Sequence, residues 1–430
     1  MNQTKRSITS ALLLFSSCVF FASELAIAQT ILIPTPTVES NEVLIYTGEI
    51  QIPGVGGLQI TFAFVENDDD LQALMTIPEQ MVQDAPLNTT FGKDGELLAS
   101  LAEAGLKFTI HNFDGRDELI AEMQQGPFET TIDLKLVDAM PEVSRPQHPI
   151  EPYPYDTREI VSMHPDGTHV LAGTLTLPEG DGLFPCAILI SGSGQQDRDA
   201  TVFGHKPFLV IADWLTRNGI AVLRYDDRGV GGSEMKRPAE LANITTAINA
   251  KDTAVMVQAA KMHPKIDDRR VGLIGHSEGG LIAPLVAVED HDIAFIVMLA
   301  GPGMSGLELL PLQQALILRA SGTSEELIER QVNASLNVFE LVVQGASYEE
   351  LSEHVDELLQ IAGEHTGQSM EDFTDEDRAA ILAEMTSPWL RYFLAHKPLI
   401  ALGQVECPVL AMNGTLDLQV PCTENLSLIE

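Results

Sequence analysis

Arg270-Val271-Gly272-Leu273-Ile274-Gly275-His276-Ser277-Glu278-Gly279-Gly280-Leu281-Ile282-Ala283-Pro284-Leu285-Val286 is the stretch that decides the fold of this chain. Its first five residues have the composition of a buried strand, and the run after Gly279 that of a buried helix. Between them stands G-x-S-x-G. The glycines let the backbone turn sharply, so the Ser277 hydroxyl stands proud of a sheet while the helix N-terminus aims its amides at the same point. A lone G-x-S-x-G is a weak signal. A strand before it and a helix after it make Ser277 a candidate nucleophile rather than an ordinary turn residue.

Working outward, apolar strands alternate with helical patterns. Strand signals cover 186–190, 220–225, 271–274 and 293–300, and helical signals cover 208–218 and 245–262. A hairpin over 159–177 turns at Pro165-Asp166-Gly167 and precedes them. Such alternation predicts an α/β fold, a mostly parallel sheet with helices on both faces. From Gly303 to about Pro398 the strand signals vanish and helical stretches take over, at 309–320, 324–343 and 375–385. Ser324-Glu325-Glu326-Leu327 and Thr374-Asp375-Glu376-Asp377 read as capped helix starts. A strand returns at 407–413, so the excursion reads as a helical cap over the active site.

Upstream the character differs. Residues 43–138 show short alternating strands, with Leu58, Ile60, Phe62 and Phe64 on one face and Phe128, Thr130, Ile132, Leu134 and Leu136 repeating the arrangement. This predicts a small antiparallel β domain, sheet or barrel. Prolines between 141 and 154 mark a linker. At the start, Lys5-Arg6, an apolar run from Ala11 to Ala22 and Ala26-Ile27-Ala28 form the pattern of a signal peptide cut after Ala28. Ser16, Ser17, Ser23 and Glu24 keep that run too short to span a membrane. The expected organisation is a leader (1–28), β domain (29–140), linker (141–157), α/β core (158–302), helical cap (303–398) and a return of the core (399–430), in a secreted or periplasmic protein.

The net charge of −37, from 62 acidic against 25 basic residues, argues against nucleic acid or an anionic membrane surface as partner. Cys186, Cys407 and Cys422 give no disulfide framework. No C-x-x-C or His/Cys cluster suggests a metal, and no cofactor is implied.

Four segments in order carry a resemblance. They are Ser191-Gly192-Ser193-Gly194-Gln195-Gln196-Asp197-Arg198-Asp199, Arg224-Tyr225-Asp226-Asp227-Arg228-Gly229-Val230-Gly231-Gly232-Ser233, Gly275-His276-Ser277-Glu278-Gly279-Gly280, and Asn413-Gly414-Thr415-Leu416-Asp417-Leu418-Gln419-Val420-Pro421. From about Pro152 onward the sequence resembles the secreted or periplasmic α/β-hydrolase serine esterases, including the S33 serine aminopeptidase-like group, that carry a small β domain in front. The resemblance implies cleavage of a small-molecule carboxylic ester through an acyl-enzyme on Ser277. It implies an oxyanion hole from the backbone N–H groups of Glu278 and Ser193, and Asp417 as the acid that orients a histidine. Asp226, Asp227 and Arg228 read as residues that tie loops together beside the site. His276 precedes the nucleophile and is expected to point away from it.

In this family the order is Ser, Asp, His, with the histidine on a loop beyond one more strand. No histidine lies between Leu418 and Glu430; His164, His169, His205, His263, His276, His291, His354, His365 and His396 all precede Asp417. The sequence therefore contains no triad histidine. Two readings stay open, a truncated product of a longer esterase and a complete but disabled homologue. Residues 423–430 read as the start of a helix, which favours truncation, and hydrolysis by residues 1–430 alone is expected to be weak or nil. Amide cleavage of the serine aminopeptidase type and non-catalytic binding of an apolar ligand are the alternative functions.

Overall fold

The computed structural model of the chain describes residues 43–430, apart from 53–55, 68–69, 79–81, 94, 102–104, 112, 114–116, 126–127, 142–144, 203, 367–368 and 371–372. The expected leader lies outside the described residues. The chain divides into two compact units, one ending at Pro146 and the other running from Gln147 to Glu430.

The first unit consists of eight antiparallel strands: β1 (Val43–Ile52), β2 (Gly56–Asn67), β3 (Asp70–Ile77), β4 (Val82–Phe91), β5 (Leu97–Leu101), β6 (Leu106–His111), β7 (Glu118–Gln125) and β8 (Phe128–Val137). Each pairs with the next, and β1 closes on β8 through Ile45–Val137, Tyr46–Leu136 and Thr47–Lys135. The choice between sheet and barrel falls to the barrel, which leaves no free edge. Period-two alternation sends Leu119, Ala121 and Met123 of β7 inside and their neighbours out. Aromatic rings fill the interior: Phe62 meets Phe108 edge-on at 5.0 Å and stacks on Phe64 at 5.9 Å. The strand β4, Val-Gln-Asp-Ala-Pro-Leu-Asn-Thr-Thr-Phe, escaped the sequence reading because its few apolar residues give no alternation.

The second unit is built on a seven-stranded sheet. Its strands are β9 (Asp156–Met163), β10 (Val170–Leu177), β11 (Phe184–Ile190), β12 (Ala221–Tyr225), β13 (Ile266–His276), β14 (Ile296–Leu299) and β15 (Val409–Met412), in spatial order β15-β14-β13-β11-β12-β10-β9. The five strands from β11 to β15 pair in parallel, and the β9–β10 hairpin adds antiparallel edge strands. Strand β11 is apolar throughout because both its faces are covered. Cys186, Ile188 and Ile190 face helices α2 (Thr246–Lys261) and α3 (Gly279–Glu289), while Ala187 and Leu189 face α1 (Pro207–Arg217).

Between β14 and β15 run α4 (Gly306–Ala320), α5 (Glu325–Gln344), α6 (Tyr348–Thr366), α7 (Asp375–Met385), α8 (Pro388–Ala395) and the short α9 (Pro398–Leu402); α10 (Cys422–Ile429) follows β15. Helix α5 starts at Ser324, whose hydroxyl accepts from the Leu327 amide, and α7 starts at a reciprocal Thr374/Asp377 box, both where the capping signals place them. Helices α4 to α8 bury their apolar stripes on one another around Val338, Phe339, Leu358, Met385 and Leu390. At about 25 cal/mol per Å² of apolar surface, this shared core is what holds the excursion together. Among the described residues no helix is long and apolar enough to cross a membrane.

Candidate active site

Strand β11 is followed through α1 by β12 on one side of it, whereas β13 lies on its other side and leads to β14 and β15. The connections thus diverge between β11 and β13, and a crevice opens beyond the carboxyl ends of those two strands. Loop 191–196 leaves β11 there, and Ser277 follows β13 at the same end.

Ser277 has φ of +53°, the left-handed region that non-glycine residues rarely occupy. The strain is held from all sides. The Ser277 amide donates to the Leu299 carbonyl at the end of β14 (2.9 Å). A side chain at Gly275 would bring its Cβ within 2.0 Å of the Gly279 carbonyl oxygen, and one at Gly279 within 2.4 Å of that of Ile190. Strand and helix therefore approach closely only because both positions lack a Cβ. Gly192, on the facing loop, lies so near that a Cβ there would sit 3.1 Å from the Ser277 Cβ. Neither the Glu278 amide nor the Ser193 amide has an acceptor among the described residues.

Asp417 sits in the loop after β15, at the same end of the sheet. Its Oδ1 accepts from the Gln419 and Val420 amides, both at 2.9 Å, and Asn413 Nδ2 donates to the Val420 carbonyl across the same loop. The fold thus brings Ser277, Glu278, Ser193 and Asp417 to one edge of the sheet. His276 is the histidine that feels the Asp417 carboxylate: partial burial lowers its pKa and Asp417 opposes that shift. No histidine among the described residues hydrogen-bonds Ser277 or Asp417. His205 and His396 are absent from the cavity wall described below.

The Asp226–Arg228 segment ties loops together. Asp226 accepts from the Arg198 backbone and guanidinium and from the Gly232 amide. Asp227 accepts from Ser191 Oγ at 3.0 and 3.1 Å and from the Gln196 amide at 2.9 Å, clamping both ends of loop 191–196. Burial pushes the Asp227 carboxyl up to about 7; the hydrogen bonds from Gln196 and Ser191 oppose this, and the charges of Asp252 and Glu278 add to it. Arg228 forks onto Asp252, Nε to Oδ2 and Nη2 to Oδ1, both 2.6 Å.

The fold also assembles a trio that sequence spacing did not disclose, His164, His169 and Asp252. His169 Nε2 lies 3.0 Å from Asp252 Oδ1, and the two imidazoles stack at 4.6 Å. Because the Arg228 fork already engages both Asp252 oxygens, the trio closes on itself as an ion-pair knot joining the β9–β10 hairpin to α2 and to the 226–233 loop.

A cavity of about 230 Å³ adjoins loop 191–196, with Ser193, Gly194, Asp227, Leu241, Glu384 and Trp389 in its wall. Glu384 and Trp389 come from α7 and α8, so the helical excursion contributes to the cavity wall. Glu384 is partly buried, and that burial raises its pKa. Sequence reasoning missed both residues, since helical periodicity marks a buried stripe without saying what lies opposite.

Residues 207–337 match the family model described as serine aminopeptidase, S33. The chain is similar to the esterase EstD of Thermotoga maritima, 33% identical over 170 residues that make up 40% of this chain. The match spans 38% of the length of that relative. Among solved structures, the chain is similar to the α/β hydrolase GrgF from Penicillium sp. (18% identity, 64% of this chain and 85% of that one, TM-score 0.39). It is also similar to the esterase Pf2001 of Pyrococcus furiosus (15% identity, 64% and 77%, TM-score 0.36). The second unit carries the α/β-hydrolase fold. In this unit Ser277 stands at the tight turn between β13 and α3.

Proposed function

We propose that this protein is a serine hydrolase that cleaves carboxylic esters through an acyl-enzyme on Ser277. The observation that carries the reading is the strained Ser277 turn at the carboxyl end of β13, facing a loop whose Ser193 amide, like that of Glu278, is left without an acceptor. In the first step Ser277 Oγ attacks the ester carbonyl carbon while a general base takes its proton. The carbonyl oxygen becomes an oxyanion held by the Glu278 and Ser193 amides, and the alkoxide leaves with a proton returned by the base. A water molecule then repeats the sequence on the acyl-enzyme. Asp417 is the carboxylate that orients the base, and we assign the base to no histidine of the described residues.

The leader-like stretch ending at Ala28 supports export as the setting, with a small-molecule ester as the substrate. A second reading is favoured by one observation, the Glu384 carboxylate in the cavity wall: it suits the amino group of an amine-bearing amide, as a serine aminopeptidase would need. Labelling with a fluorophosphonate tests the nucleophile, with modification expected at Ser277 and lost in Ser277→Ala. Absence of labelling, even in a chain extended to supply a histidine, would leave only the non-catalytic binder. Comparing neutral esters with aminoacyl amides on Glu384→Gln then separates the two hydrolytic readings, because only the amide reading expects that substitution to raise KM selectively.

A further inference from the structure

The side chain of Glu278 is unexpected beside a nucleophile. It is 1% exposed, and burial raises its pKa. Its Oε1 accepts from Thr246 Oγ1, at the start of α2, at 2.6 Å. Trp389 Nε1, on α8, lies 3.0 Å from both carboxylate oxygens, and the Ser193 side chain is near enough to favour the charged form of the same group. Two neutral donors from α2 and α8 thus converge on one carboxylate, with Ser193 of loop 191–196 beside it, and among the described residues no lysine or arginine pairs with it.

Burying a carboxylate without a cation costs several kcal/mol. A negative charge next to the site of a developing oxyanion also works against the chemistry. An apolar side chain would fill the space more cheaply. What the carboxylate supplies is acceptor capacity, about four lone-pair sites that can engage donors from separate parts of the chain.

Resting on the serine-hydrolase reading, we propose that Glu278 is a positioning residue through which helix α8 of the cap sets the geometry of Ser277 and of loop 191–196. The Trp389 ring has one side stacked on Phe393 at 5.2 Å and also forms part of the cavity wall, while its N–H is held by Glu278. A substrate group that presses on Trp389 therefore displaces the residue next to the nucleophile and the carboxylate that Ser193 of the facing loop lies against. The cap senses occupancy of the cavity and passes it to the acyl-transfer centre by hydrogen bonds rather than by contact with the reacting atoms.

The test compares Trp389→Phe, which keeps the ring and loses the N–H, with Glu278→Leu and Glu278→Gln. The readouts are the rate of fluorophosphonate labelling of Ser277, the thermal midpoint, and amide hydrogen exchange. Trp389→Phe and Glu278→Leu are expected to label about tenfold more slowly, in line with the cost of a sub-ångström misplacement. Glu278→Gln, which retains an acceptor for the indole, should recover most of the native rate. Exchange in Trp389→Phe should rise together over 387–395 and 191–196. Native labelling rates in both Trp389→Phe and Glu278→Leu, or faster exchange confined to 387–395, would overturn the coupling. If labelling is absent even in a chain extended to supply a histidine, the serine-hydrolase reading fails on its own, and the exchange pattern alone decides whether Glu278 links these segments.

Discussion

Replacing Asp227 by Asn should stabilise the α/β unit at alkaline pH and do progressively less as the pH falls. Asp227 is a carboxyl whose pKa rises on folding from 3.8 to about 7, chiefly because burial penalises the anion. The unfolded chain releases this proton near pH 4, whereas the folded protein holds it until about pH 7. Stability from the protonated form is therefore complete below the unfolded pKa and is lost steadily as the pH climbs through the folded one. A shift of about three units, at 1.36 kcal/mol each, bounds the loss at about 4 kcal/mol by pH 8, with roughly 2.5 kcal/mol of it falling between pH 5 and pH 8. Asn is neutral throughout and can keep the clamp: its carbonyl accepts the Gln196 amide, and its amide donates to Ser191 Oγ, which turns from donor to acceptor. Urea unfolding of both proteins at pH 5 and pH 8 measures the difference directly. An Asn variant less stable than the parent at pH 8, or a gain of the same size at both pH values, would refute the claim that burial of the anion governs this residue.

Further substitutions probe the packing behind the site. Gly279→Ala places a methyl 2.4 Å from the Ile190 carbonyl oxygen, so α3 must part from β11; we expect a loss of about 2–3 kcal/mol and a large drop in fluorophosphonate labelling, read by thermal denaturation and mass spectrometry. Phe62→Ala empties the middle of the barrel, where Phe62 touches Phe64 and Phe108. It should cost about 3–5 kcal/mol in the barrel's own urea transition while leaving labelling of Ser277 unchanged. Arg228→Met removes the cation from buried Asp252, and a loss of about 3–5 kcal/mol should be recovered largely by adding Asp252→Asn in a double-mutant cycle.

Local chemistry made much of this protein legible. The Ser277 turn could be read because G-x-S-x-G sets the turn locally, with a Cβ at Gly275 meeting the Gly279 carbonyl four residues on, and the cap helices because Ser324 and Thr374 cap their own first turns. Strand β11 could be recognised as central because burial on two faces requires an unbroken apolar run. Barrel closure could not be read: β1 meets β8 some ninety residues later, and alternation is the same in a barrel and an open sheet. The anchors of Glu278 were equally silent, since Thr246 and Trp389 are separated from it by 32 and 111 residues.

Periodicity, glycine placement and capping thus established the β unit, the α/β unit, the helical excursion and the candidate nucleophile, all properties set by interactions within a few residues. Tertiary structure alone decided which loop Asp227 clamps, that Glu278 turns inward to meet Trp389, and that Glu384 and Trp389 wall the cavity. These depend on which distant segments the sheet order brings to one edge. No local preference encodes that juxtaposition, because each partner would satisfy its own backbone equally well facing water.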